Sequence, residues 1–191
     1  MKTPIFILIF LFRIQVSAQP LTSDIKKEII TQINEFRKVT GDSPGQTLKI
    51  TRNANLDKAA QFHSDWLANS GLALATVNPH IETKSVNGQP KLVNCWDRGK
   101  YFKVAVFAEI LFRAFPITKT CTYKDRAQLA VKLWAESTHG HRETMLIGYS
   151  TDSKYIPQIG VGMTQISGTD EWVIVVVFGD NTDYLTGQTI K

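Results

Sequence analysis

Two apolar stretches near the C-terminus, "IPQIGVGMTQI" (156–166) and "EWVIVVVFG" (171–179), flank the short polar turn "SGTD". β-Branched and aromatic residues on both sides of a turn predict an antiparallel β-hairpin. The second arm, Val173 to Phe178, has no polar residue to turn toward water. A strand of that kind is buried on both faces, so helices are expected above and below it. The rest of the chain must supply them.

It does so before the hairpin. Ile25, Ile29, Ile33 and Phe36 recur at helical spacing, with Ser23 as the expected cap and Gly41 as the stop. "GDSPGQT" follows as a loop. A second helix is predicted from Asn53, a good cap, to Ser70, with Gly71 beyond its end. Its apolar stripe runs through Leu56, Ala60, His63 and Leu67, widened by Phe62 and Trp66. From Leu72 to about Lys103 the periodicity dissolves into a long loop, with one strand expected near "KLVNCW". "KVAVFAEILFRAF" reads as a short buried helix carrying one acid, Glu109. "DRAQLAVKLWAES" reads as another, capped by Asp125, with Ala130, Leu133, Trp134 and Ser137 on its core side. Helices preceding a terminal hairpin imply an α+β fold, a three-layer α–β–α sandwich with a small antiparallel sheet flanked by helices.

The N-terminus has a different character. "MKTPIFILIFLFRIQVSAQP" places Lys2 before an apolar run and small residues at Ser17 and Ala18. This is the layout of a secretory signal peptide, residues 1–18, cleaved after Ala18. The run is short of the ~20 residues that span a bilayer, so no stable membrane insertion is expected. Residues 19–191 are then expected to form a single exported domain, with a polar tail from about residue 180. Removing Lys2 and Arg13 lowers the net charge from its value of +5, and no dense Lys/Arg run occurs elsewhere. A nucleic-acid partner is not expected. In an oxidising compartment, Cys95 and Cys121 are expected to form a disulfide, stabilising by about 3–4 kcal/mol in the chain-entropy account. Two isolated cysteines do not make a zinc knuckle.

Five pieces now fall in a familiar order: "INEFRKVTG", "LKITRNANLDKAAQFHSDWLA", "FAEIL", "LWAESTHGHRETML" and "IGVG" with the strand after it. Together they resemble the CAP superfamily, which includes cysteine-rich secretory proteins, venom antigens, plant pathogenesis-related proteins and many bacterial secreted domains. The resemblance runs from about Ile25 to Phe178 and implies a central cleft lined by two histidines and up to two acids. Matched residue by residue, His80 in "NPH" takes the place of the first histidine, Glu109 of the first acid, and His141 of the second histidine. The interval from Trp134 to His141 is one residue longer than in the usual bacterial motif, which leaves His139 as an alternative to His141. Ser137 stands where animal and plant members carry a second glutamate, and Glu136 beside it would point about 100° away on a helix. Ile110 replaces the amide residue that usually follows the first acid.

Two neutral imidazoles can ligate Zn²⁺, with an acid such as Glu109 as a further ligand, a hydrogen-bond acceptor behind one ring, or a base for bound water. No His-Glu-x-x-His helix is present, so local spacing alone favours structural histidines. His63, on an apolar stripe, reads as a packed or partly exposed helix residue, and His139 as a surface turn residue. Ser137 lacks the Gly-x-Ser-x-Gly setting of a nucleophile. The family resemblance implies no general enzymatic activity. The expected function is therefore a secreted binding or interaction module whose cleft takes a divalent metal, a small apolar ligand or a protein partner through His80, Glu109 and His141. The alternative is a metal-assisted hydrolase with Glu109 as general base.

Overall fold

The structure is a computed structural model that describes residues 19–40, 49–72, 78–114, 122–146 and 157–180. The elements run α1 (Gln19–Thr40), β1 (Thr51–Arg52), α2 (Ala54–Asn69), α3 (Cys95–Tyr101), β2 (Ala105–Ala114), α4 (Tyr123–Glu136), α5 (His141–Met145), β3 (Gln158–Gln165) and β4 (Trp172–Asp180). The expected hairpin is β3–β4, and it forms the middle of a four-stranded sheet in the order β1-β3-β4-β2. β3, β4 and β2 are antiparallel, whereas β1 adds two residues in parallel to the edge of β3. The sheet is thus mixed, with an antiparallel body.

β4 alternates as a doubly covered strand must. Ile174, Val176 and Phe178 join Ile25, Ile29 and Ile33 of α1 and Trp134 of α4 in one core. Val173, Val175 and Val177 face the other way, onto Leu56, Ala60 and Trp66 of α2. Helices therefore lie on both faces, and the three-layer α–β–α reading holds.

Five local expectations are corrected. "KVAVFAEILFRAF" is strand β2, not a helix: it pairs along its length with β4, and that ladder outweighs the helical reading of a short apolar run. The strand expected near "KLVNCW" is instead the start of α3, because Asn94 and Asp97 form a reciprocal capping box. α1 begins at Gln19, so Ser23 lies within it. In α4 the cap is Thr122, with Asp125 three residues on closing a second capping box that holds the Asp125 carboxyl below its ordinary range. The buried side of α4 is Ala127, Ala130, Val131 and Trp134, leaving Leu133 exposed.

α2 follows its prediction closely. The Asn53 side chain accepts from the Asn55 and Leu56 amides, Ser70 is the C-cap, and Gly71 takes a left-handed φ of +66°. The helix also closes the edge of β3 beyond the short β1. Asp57 Oδ1 accepts from the Val161 amide at 2.9 Å, and Gln61 both accepts from the Met163 amide and donates to its carbonyl oxygen, each at 3.2 Å. A sheet edge is here satisfied by helix side chains.

The signal-peptide segment, Gly41, Cys121 and the tail beyond Asp180 lie outside the described residues, and β4 reaches Asp180. Among the described residues no helix is long and apolar enough to cross a membrane.

Candidate functional site

β2 carries an irregularity that decides where Glu109 points. Val106 pairs with Gly179 and Ala108 with Phe178, so Phe107 is an extra residue in the β2 register. Such a bulge reverses the alternation beyond it. Before it, Val104 and Val106 pack on the α2 side of the sheet. After it, Ile110 and Phe112 belong to the opposite core, while Leu111 packs on the α2 side. Glu109, two residues before Leu111, shares that face and meets side chains from α2, α3 and the loop between them.

There Glu109 Oε1 lies 3.0 Å from His80 Nδ1, and Arg98 Nη2 donates to Oε2 at 2.7 Å. His63 Nε2 is 3.6 Å from Oε1. The carboxylate side chain is 1 % exposed, whereas that of His80 is 38 % exposed. Burial by itself raises the carboxyl, but the charge of His63 and the hydrogen bonds and charge supplied by His80 and Arg98 outweigh it. They hold Glu109 below its ordinary range. An ionised carboxylate only accepts, so His80 donates from Nδ1–H, and in its neutral form the ring keeps its lone pair on Nε2. Among the described residues that Nε2 has no hydrogen-bond partner.

The sequence-predicted residues separate into groups. His80 and Glu109 are brought together. His141, the first residue of α5, is close enough for the charge of His80 to act on it. Its pKa is lowered by burial first, then by His80 and His139, which favours the neutral ring. His139 is an exposed turn residue whose amide donates to Ser137 Oγ at 3.1 Å. Ser137 is the C-cap of α4, and its hydroxyl is used in this turn. Cys95, at the start of α3, is half-buried, and burial followed by the charge of Glu109 pushes its thiol up to about 11.

Three residues of the cluster were not among the candidates. His63 is fully buried, with Nδ1 3.0 Å from Glu82 Oε1 and Nε2 2.8 Å from the Pro79 carbonyl oxygen. Glu82 and Arg98 are fully buried as side chains and bonded to each other at 3.1 Å. His63 could be read as buried from its place on the α2 stripe. Nothing in the spacing of Glu82 or Arg98 pointed to a shared cluster.

As a metal centre, the arrangement offers imidazoles rather than carboxylates. Among the described residues no three His, Cys, Asp or Glu side chains converge as a metal site. Both Glu109 oxygens are already engaged. The imidazoles of the site are His80, with a carboxylate behind its ring, and His141, whose lowered pKa favours the neutral form.

No protein-family model matches the chain, and no curated protein matches it. Solved structures do. An outer surface protein from Borrelia burgdorferi superposes with a TM-score of 0.52 at 19 % identity, covering 83 % of this chain and 94 % of that one. The likeness is one of fold. Weaker superpositions run to an extracellular protein containing an SCP domain from Bacillus anthracis (TM-score 0.48, 14 % identity, 85 % of this chain and 44 % of that one) and to BmVAL-1 (0.45, 12 %, 84 % and 78 %).

Proposed function

We propose that this chain is an exported binding module of the CAP type whose cleft takes a divalent metal, Zn²⁺ foremost, through His80 and His141. The observation that carries the reading is the 3.0 Å contact between His80 Nδ1 and a buried, ionised Glu109. Metal-bound histidines characteristically donate their second N–H to a carboxylate, which fixes the tautomer and raises ring basicity. Glu109 then acts from behind the ring and is not itself a ligand. A bound metal would place a Lewis-acid charge beside His80, where water or a donor group of a small ligand or protein partner completes its coordination. Export rests on the pattern of residues 1–18, and it is in keeping that the Borrelia burgdorferi protein, which shares the fold, is by name an outer surface protein.

Metal-assisted hydrolysis with Glu109 as general base is the second reading. We place it below the first because a buried carboxylate with both oxygens held and a lowered pKa is a weak proton acceptor. Steady turnover of peptide or ester substrates, abolished in Glu109→Gln but not in a separately folded control such as Ser137→Ala, would reverse that order.

Calorimetric titration with ZnCl₂ tests the first reading. One Zn²⁺ bound at micromolar strength or better, and lost in both His80→Ala and His141→Ala, is the expected result. No binding, or equal binding by the variants, rules out the histidine pair. If His80→Ala and His139→Ala lose binding while His141→Ala keeps it, the second ligand is His139.

A further inference from the structure

Beneath His80 lies a closed arrangement of four buried side chains from four parts of the chain. Arg98 of α3 donates to Glu82 through Nη1 at 3.1 Å and to Glu109 through Nη2 at 2.7 Å. His63 of α2 lies opposite, with Nδ1 on Glu82 at 3.0 Å and Nε2 3.6 Å from Glu109. Each basic group thus faces both acids, and each acid faces both bases.

The hydrogen-bond count around His63 fixes the number of protons. A carbonyl oxygen can only accept, so the 2.8 Å contact with Pro79 requires a proton on Nε2. The 3.0 Å contact between Nδ1 and Glu82 requires another proton between them. Whichever of the two holds it, the His63–Glu82 pair is neutral as a whole, and Arg98 balances Glu109. Four ionisable groups are buried with no net charge, which is the condition under which such burial is tolerable. Every acceptor is also used: Glu82 Oε2 takes the Leu92 amide at 3.0 Å.

The backbone around the cluster is built to hold it. The Asn94–Asp97 capping box starts α3 one turn before Arg98. Gly99 lets that helix lie directly on β2, where a Cβ would collide with Val106 and with the Val104 carbonyl oxygen. Trp66 Nε1 donates to the Lys84 carbonyl oxygen at 2.7 Å, tying the Glu82 loop to α2.

None of His63, Glu82 or Arg98 reaches solvent. The second carboxylate of this chain is therefore not at the cleft, where the family resemblance would put it at Ser137, but inside the protein behind Glu109. We propose that Arg98, Glu82 and His63 are positioning residues. They clamp the Glu109 carboxylate so that its remaining acceptor direction takes His80 Nδ1–H and holds the neutral ring in the tautomer that keeps its lone pair on Nε2. The clamp rests on the metal-cleft reading for its purpose, but its structural consequence exists without metal.

The test reads the His80 ring directly. Long-range ¹H–¹⁵N NMR of the metal-free protein near neutral pH reports which ring nitrogens carry protons. In the wild type His80 is expected as the Nδ1–H tautomer, and His63 with protonated or hydrogen-bonded character at both nitrogens. In Glu82→Gln and Arg98→Gln, His80 is expected to pass to a mixture with the Nε2–H form, and zinc affinity to fall about 10–100-fold, the usual range for lost support behind a ligand. Arg98→Lys, which retains one charged donor, is expected to recover part of both signals. A wild-type His80 in the Nε2–H form overturns the proposal even if every variant fails to fold. So does a folded Glu82→Gln or Arg98→Gln protein with the tautomer unchanged. If His80 behaves as expected but the wild type binds no zinc, the metal reading fails and the clamp stands.

Discussion

The imidazole of His63 lies flat on the indole of Trp66, with centroids 5.7 Å apart and planes 9° from parallel. The two residues are three apart on α2, so the helix itself sets the stack. Trp66 also donates to Lys84, which makes it the joint between α2 and the loop carrying His80 and Glu82. Trp66→Ala is expected to lower stability by about 3–5 kcal/mol, the range for emptying a buried aromatic site. Trp66→Phe keeps most of the packing and leaves the Lys84 carbonyl without its donor, for a smaller loss of about 1–3 kcal/mol. Urea unfolding of the two variants separates packing from the hydrogen bond; a Trp66→Phe protein as stable as the wild type would show that the tie to Lys84 contributes nothing.

Glu109 sets an acid limit on the fold. Its folded pKa is depressed, so the unfolded chain takes up more protons as the pH falls below about 4.3. The stabilisation is fully present above that value and is lost as pH falls through the folded pKa. Stability measured from about pH 6 to pH 3 should decline in the wild type. The decline should be shallower in Glu109→Gln, which lacks that titration and is less stable at neutral pH. A Glu109→Gln curve parallel to the wild type would mean that other carboxylates govern the acid limb.

Cys95 makes a chemical prediction. A thiol pushed up to about 11 is almost wholly protonated at pH 8, whereas an ordinary thiol near 8.5 is about one-quarter thiolate. In a Cys121→Ser protein, which leaves Cys95 as the one thiol, alkylation under native conditions should be about two orders of magnitude slower than in urea. Similar native and denatured rates would place Cys95 in a more open setting than the half-buried start of α3.

Sequence patterning reached those parts of the fold in which one physical signal dominates. The double burial of Val173 to Phe178 required helices on both faces, and the Asn53 cap and Gly71 bounded α2. β2 was misread because its bulge at Phe107 breaks the alternation that marks a strand, leaving a short apolar run with no clear period. The same bulge makes Glu109 face α2, so the feature that hid the strand also places the acid. His80 and Glu109 were legible through resemblance, because the motif keeps their order. The clamp was not: Glu82 and Arg98 are 16 residues apart in an aperiodic region, brought together by the capping box, the Trp66–Lys84 bond and the hydrogen bonds of Glu82 to Leu92 and Val93. Ser137 and His139, read as cleft candidates, are joined by a hydrogen bond in the turn after α4.

The "IGVG" segment supplies the last prediction, because its glycines are explained by the closeness of α2 to β3 and not by backbone freedom. A Cβ on Gly160 would land on the Leu56 carbonyl carbon and the Asp57 amide, and one on Gly162 on the Ala60 carbonyl and the Gln61 amide. Neither glycine is among those with positive φ. In an open strand, glycine to alanine would be favourable by about 0.5–1 kcal/mol. Here the colliding atoms are backbone, which cannot rotate away, and moving α2 would also stretch the bonds from Asp57 and Gln61 to β3. Gly162→Ala is therefore expected to lower stability by about 1–3 kcal/mol or more. Because α2 also carries His63, it should disturb the His80 ring signal as well. A Gly162→Ala protein as stable as the wild type would mean that α2 does not press on β3 as closely as these contacts require.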